Sequence, residues 1–91
     1  MLQVMDFADS GAITCTGALL RMPKVNTRFV IFQAAAGNAG NITIGGPGIG
    51  SGTGGFVLTP GQEMQGLWIT DLSKFYVYGA NNDLLNYLSL K

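Results

Sequence analysis

At 91 residues the chain has room for one domain, residues 1–91, and none for separate catalytic and binding units, since domains usually run to roughly 100–150 residues. Hydrophobic residues make up 47% and charged residues only 11%, against about 25% charged in an ordinary soluble domain, so charge cannot cover the surface and assembly with other subunits is expected to do so. A net charge of zero with five scattered basic residues, no histidine and one cysteine speaks against a nucleic-acid-binding face, a histidine-based catalytic pair and an intrachain disulfide.

The first 11 residues, MLQVMDFADSG, read as an N-terminal arm; they carry neither the basic stretch nor the long apolar stretch of a secretory leader. No run approaches the roughly 18 uninterrupted apolar residues of a membrane span, and a soluble chain with no membrane partner is expected. Residues 12–16, AITCT, alternate with Ile13 and Cys15 on one face, which makes Cys15 an ordinary buried thiol. A bulge at Gly17 would carry this strand on into 18–22, ALLRM, before Pro23 and Asn26-Thr27 end it.

Residues 28–34, RFVIFQA, are apolar on both faces, as in a strand buried within an architecture or set on a subunit contact. GNAGN at 37–41 is a turn, because Gly and Asn tolerate positive φ. NITI then points Ile42 and Ile44 inward, and FVLT at 56–59 does the same with Phe56 and Leu58 before a Pro60-Gly61 reversal. QEMQGLWI at 62–69, KFYVYG at 74–79 and LLNYLSL at 84–90 complete the strands, with ANND turning the chain before the last. No glycine-free window holds a helical period, so the expected fold is all-β: a small antiparallel β-sandwich or jelly roll of about seven to eight strands.

Between the strands at 41–44 and 56–59 lies the glycine-rich segment 45–55, with G-x-G-x-x-G at Gly50, Gly52 and Gly55. A phosphate cradle needs a helix N-terminus after these glycines, whereas here FVLTPG follows as a strand and a turn. No lysine occurs between Lys24 and Lys74, so a P-loop is absent as well, and the segment reads as a flexible link. Without histidine, no spacing pairs a nucleophile with a base, and Asp6 with Asp9 falls short of an oxygen-ligand loop. The expectation is no enzyme, with no catalytic, cofactor-binding or metal site.

What stands out instead are aromatic side chains suited to contact. Tyr76 and Tyr78 share one face of their strand, opposite Phe75 and Val77. The interface candidates are Trp68, Tyr76, Tyr78 and Tyr87, with Phe29 on the two-faced strand and Gly48, Ile49 and Gly50 at the loop tip. A stacking platform of Trp68, Tyr76 and Tyr78 for sugars is the competing use, which would make the chain a small carbohydrate-binding module.

The sequence also resembles a group of small proteins from tailed bacteriophages and prophages. The resemblance lies in A-x-N-x-G-x-[IV]-x-[IV]-G at Ala36, Asn38, Gly40, Ile42, Ile44 and Gly45, then G-[FV]-x-L-x-P-G from Gly55 to Gly61, then Asp71, Leu72, Phe75, Tyr76 and Val77; it spans roughly residues 12–90. It implies a β-sandwich structural protein located in the virion, with the capsid surface favoured: a decoration or cement subunit, often a homotrimer, whose partners are the major capsid protein and other virion subunits. A tail, baseplate or head-tail interface component is the alternative within the same group. The loop here is longer and richer in glycine than the group leads one to expect.

Overall fold

The structure, a computed structural model, describes residues 7–50 and 52–91, with side chains for all of these except residues 7–9 and 65. The described strands are β1 (Phe7–Thr14), β2 (Leu20–Arg21), β3 (Phe29–Ala34), β4 (Ile42–Gly45), β5 (Phe56–Leu58), β6 (Glu63–Trp68), β7 (Tyr76–Tyr78) and β8 (Leu84–Leu90). They form two four-stranded sheets, β1-β8-β3-β6 and β2-β7-β4-β5, in which every pairing is antiparallel. Except for the β4–β5 hairpin, each connection passes from one sheet to the other, and this is the winding of a jelly roll. The all-β sandwich expected from the alternation is what the chain forms.

The core is the pleat at work. Val30, Phe32 and Ala34 of β3 are fully buried, and their in-register partners from β8 and β6 project to the same side. Ile42, Ile44, Leu58 and Val77 answer from the second sheet, and Leu72 joins them from a single 3₁₀ turn, Leu72–Lys74, between β6 and β7. The two layers meet at Phe32 and Phe75, whose rings stand edge to face with centroids 5.3 Å apart. Cys15 is buried beside Gly79, where a methyl would come within 2.7 Å of the sulfur. Burial raises the Cys15 thiol pKa, and the nearby Asp83 carboxylate raises it further.

Three expectations change. Residues 7–11 belong to β1, paired with β8, and are no arm; residues 1–6 lie outside the described residues. Gly17 is not a bulge in a continuing strand: its φ of +83° turns the chain from the first sheet into the second, so 12–16 and 18–22 serve different layers. Phe56 does not enter the core but stands 68% exposed, while Leu58, two residues on, is buried. Phe56 lies on the same side of its sheet as its buried register partner Ile44, but on the wall of an open cleft between the sheets, which leaves the ring in solvent.

Candidate interaction surfaces

The eight interface candidates fall on different surfaces. Phe29 and Trp68 are cross-strand partners on the outer face of the first sheet, since the neighbouring Val30 and Leu67 point inward. Their rings meet at 4.9 Å and 65°, and the Phe29 ring lies across Gly66, where a methyl would overlap it. Glycine at this point of β6 thus makes the seat for the aromatic ring. Trp68 remains 63% exposed.

Tyr76 and Tyr78 lie on the outer face of the second sheet, half-buried, with Val77 between them pointing into the core. The Arg21 guanidinium sits 5.9 Å from the centre of the Tyr76 ring, steadied by its Nε donating to the Ser73 carbonyl at 2.8 Å. Because Trp68 belongs to the other sheet, the three aromatics form no single stacking platform. Tyr87 departs most from its expected place. It pairs with Phe32 and Gly11 on the inner side of the first sheet and packs against the core, and a methyl on Gly11 would sit 3.1 Å from its hydroxyl.

The glycine-rich segment is a built structure. Ile49, flanked by glycines, is 7% exposed, and its Cγ2 lies where a methyl on Gly45 or Gly55 would come within 2.7 Å or 3.0 Å. Gly50 and Thr53 exchange backbone hydrogen bonds, Gly50 N donating at 3.0 Å and Thr53 N at 3.4 Å, which closes a tight turn. Gly52, at φ +72°, donates its amide to Thr43 Oγ1 at 3.0 Å. Thr43 is the register partner of the outward Tyr78, yet it is only 1% exposed. The segment therefore folds back over the outer face of its own sheet. Gly48 is exposed and Gly50 half-buried, so of the three loop candidates only Gly48 is freely presented; the buried Ile49 is a plug rather than a contact.

A second clamp had no signal in the sequence. Asp83, 4% exposed, accepts from the amides of Ala39 at 2.9 Å and Gly40 at 3.0 Å through its two different oxygens. Beside it Asn38 exchanges hydrogen bonds with the backbone of Leu84, Nδ2 donating to the carbonyl at 2.9 Å and Oδ1 accepting from the amide at 2.8 Å. The β3–β4 turn is thereby latched to the β7–β8 turn, and the A-x-N-x-G pattern has a structural job. Asp71 caps the 3₁₀ turn: its Oδ1 accepts from the Ser73 amide at 3.0 Å and hydroxyl at 2.9 Å, and those bonds hold its carboxyl below the ordinary range.

One further surface was not foreseen. Between the sheets, beside the edge strands β5 and β6, an apolar cleft of about 270 Å³ is lined by Ile44, Met64, Leu67 and Phe75, with Phe56 and Lys74 also on its wall. No group of three or more Cys, Asp or Glu side chains comes together among the described residues; Asp6 and the side chain of Asp9 lie outside them. The glycines of G-x-G-x-x-G lead into β5 and not into a helix, so they present no helix N-terminus to a phosphate.

Fold and surfaces together define the class: a minimal jelly-roll sandwich, low in charge, with exposed aromatic and aliphatic side chains on separate faces. No protein family, curated protein or solved structure matches the chain.

Proposed function

We propose that the chain is a structural subunit of a bacteriophage virion, a decoration or cement protein that binds the assembled head and stabilises it. The observation that carries this reading is the display of large apolar side chains in a chain almost without charge: Trp68 at 63%, Phe56 at 68%, and Leu19, Val57 and Leu84 between 36% and 39% exposed. Such surfaces are used by proteins whose work is contact. The resemblance of residues 12–90 to small phage proteins supplies the setting, and the jelly roll is a fold that viral shells use, which is support by analogy.

A subunit that binds only the assembled shell stabilises that shell by mass action. The test is cosedimentation of the purified chain with assembled heads of the cognate phage and with unassembled coat protein. Binding to heads alone, with a rise in the temperature at which the heads open, is the expected result. Absence of binding to heads removes the reading, and recovery of the chain in purified tails moves it to the tail or head-tail interface.

A further inference from the structure

The outer face of the second sheet is partly covered. The glycine-rich segment lies over Thr43 of β4, so what stays open is carried by β2 and β7, with Arg21 and Tyr76 as cross-strand partners. Leu20 points inward opposite Val77 and Met22 is buried, so the pleat turns Arg21, between them, outward. After Pro23 the chain runs alongside the 3₁₀ turn. The Met22 amide donates to the Phe75 carbonyl at 3.1 Å, the Leu72 amide donates to the Val25 carbonyl at 3.0 Å, and Asn26 bridges to Asp71. These bonds frame a polar hollow of about 460 Å³, lined by Arg21, Met22, Lys24, Asp71 and Ser73.

Arg21 is held in place by the fold itself, through the bond from its Nε to the Ser73 carbonyl and its position over the Tyr76 ring. Among the described residues the guanidinium makes no other hydrogen bond, so the edge formed by its two Nη groups, a pair of parallel N–H donors, is open. Lys24, exposed, stands on the same hollow. The carboxylate of Asp71 engages the Ser73 amide and hydroxyl through Oδ1. Of the other described carboxylates, Asp83 is in the latch between turns and Glu63 is on the first sheet. The hollow thus holds two cations against one anion, a balance of one positive charge.

We infer that this hollow is a carboxylate-binding site whose ligand is a glutamate or aspartate side chain on a partner protein. The charge balance decides the ligand's charge: one carboxylate neutralises the hollow, whereas a phosphate or sulfate dianion would leave it negative and face Asp71. Exposure decides the source. Both cations are exposed, and an exposed ion pair strengthens binding by no more than about fivefold, too little to retain a free acid. A side chain carried by a docked protein needs only that increment, because neighbouring contacts supply the rest, and Tyr76 and Tyr78 lie on the same face to make them. Arg21 then selects and orients the partner. That the partner is a shell subunit rests on the function proposed above; the carboxylate site does not.

Heteronuclear NMR of the isotope-labelled chain reads the site without heads. Hexaglutamate, titrated at constant ionic strength, is expected to shift the Arg21 Nε–Hε signal and the amides of Lys24 and Ser73, saturating in the millimolar range; hexaglutamine should shift none of them. Acetate at matched carboxylate concentration should give no saturating shift. Arg21→Lys keeps the net charge but loses the paired donors, and should weaken peptide binding about fivefold with the amide spectrum of the core unchanged. Sulfate should displace the peptide from Asp71→Asn, whose hollow is doubly positive, and not from the wild-type chain. A silent titration, shifts confined to other residues, or Arg21→Lys binding within about twofold of wild type overturns the inference. So does acetate saturating as the peptide does, or sulfate displacing the peptide from the wild-type chain. Attachment to heads is measured separately: its absence removes the proposed function and leaves the site, whereas a silent titration removes the site and leaves the function.

Discussion

Replacing Asp83 by alanine isolates the latch between the β3–β4 and β7–β8 turns. The carboxylate is buried and accepts from two backbone amides, one oxygen each. Hydrogen bonds to a charged group contribute about 1.5–3 kcal/mol each. Ala39 is exposed and Gly40 half-buried, so water can reach the freed amides in part and the lower figure applies. The expected loss is therefore about 3 kcal/mol, and in a domain of this size that lowers Tm by roughly 12–24 °C. Asp83→Asn should recover less than half, since its amide nitrogen would face a backbone donor. Urea unfolding followed by circular dichroism reads both, with the midpoint moving and the slope constant. An Asp83→Ala protein within about 0.5 kcal/mol of wild type would refute the latch.

The glycine-rich segment offers a paired comparison. Gly55→Ala would drive its methyl onto the Ile44 carbonyl and should destabilise the protein well beyond 1 kcal/mol, whereas Gly48→Ala meets nothing within 4 Å and should stay within about 0.5 kcal/mol in the same unfolding assay. Cys15 should react with a thiol reagent near pH 8 only as fast as the protein opens, and fully once it is unfolded; rapid labelling of the native chain would contradict its burial and raised pKa. At Asp71 the folded pKa is lowered, so its contribution is present above the unfolded value of about 4 and disappears as pH falls through the folded one. Asp71→Asn, which keeps a capping oxygen, should flatten the acid limb of Tm measured from about pH 6 to about pH 2, and an unchanged limb would show that other carboxylates govern it.

The strands were legible because alternation reports the pleat directly: Ile13 and Cys15, Ile42 and Ile44, and Phe75 with Val77 all lie inward as the pattern requires. The two-faced run at 28–34 also kept its meaning, with Val30 and Phe32 in the core and Phe29 and Ile31 on the outer face. What stayed hidden depends on partners distant in the chain. Nothing within FVLT shows that Phe56 stands on the wall of an open cleft between the sheets. Tyr87 looks like a surface tyrosine until Gly11 of a strand more than 70 residues away makes room for it. Ile49 among glycines carries no period at all, so its role as a plug appears only when the segment folds back onto Thr43. Asp83 in ANND has the composition of a local turn residue, while its ligands lie 43 and 44 residues upstream.

The order of the first sheet has a consequence for how the molecule comes into being. β8, the last strand in the chain, lies between β1 and β3, so Phe7 and Phe29 both meet Leu90 and neither β1 nor β3 has its inner neighbour until β8 arrives. During synthesis the earlier strands of that sheet must wait with open edges until β8 has been made. Closure is then a late event joining strands more than 70 residues apart, of the kind that makes folding slow and all-or-none. A chain lacking β8 leaves β1 without a neighbour and β3, still paired with β6, with one open edge, and a strand of the same sequence from another molecule fits the vacant place between them as well as its own.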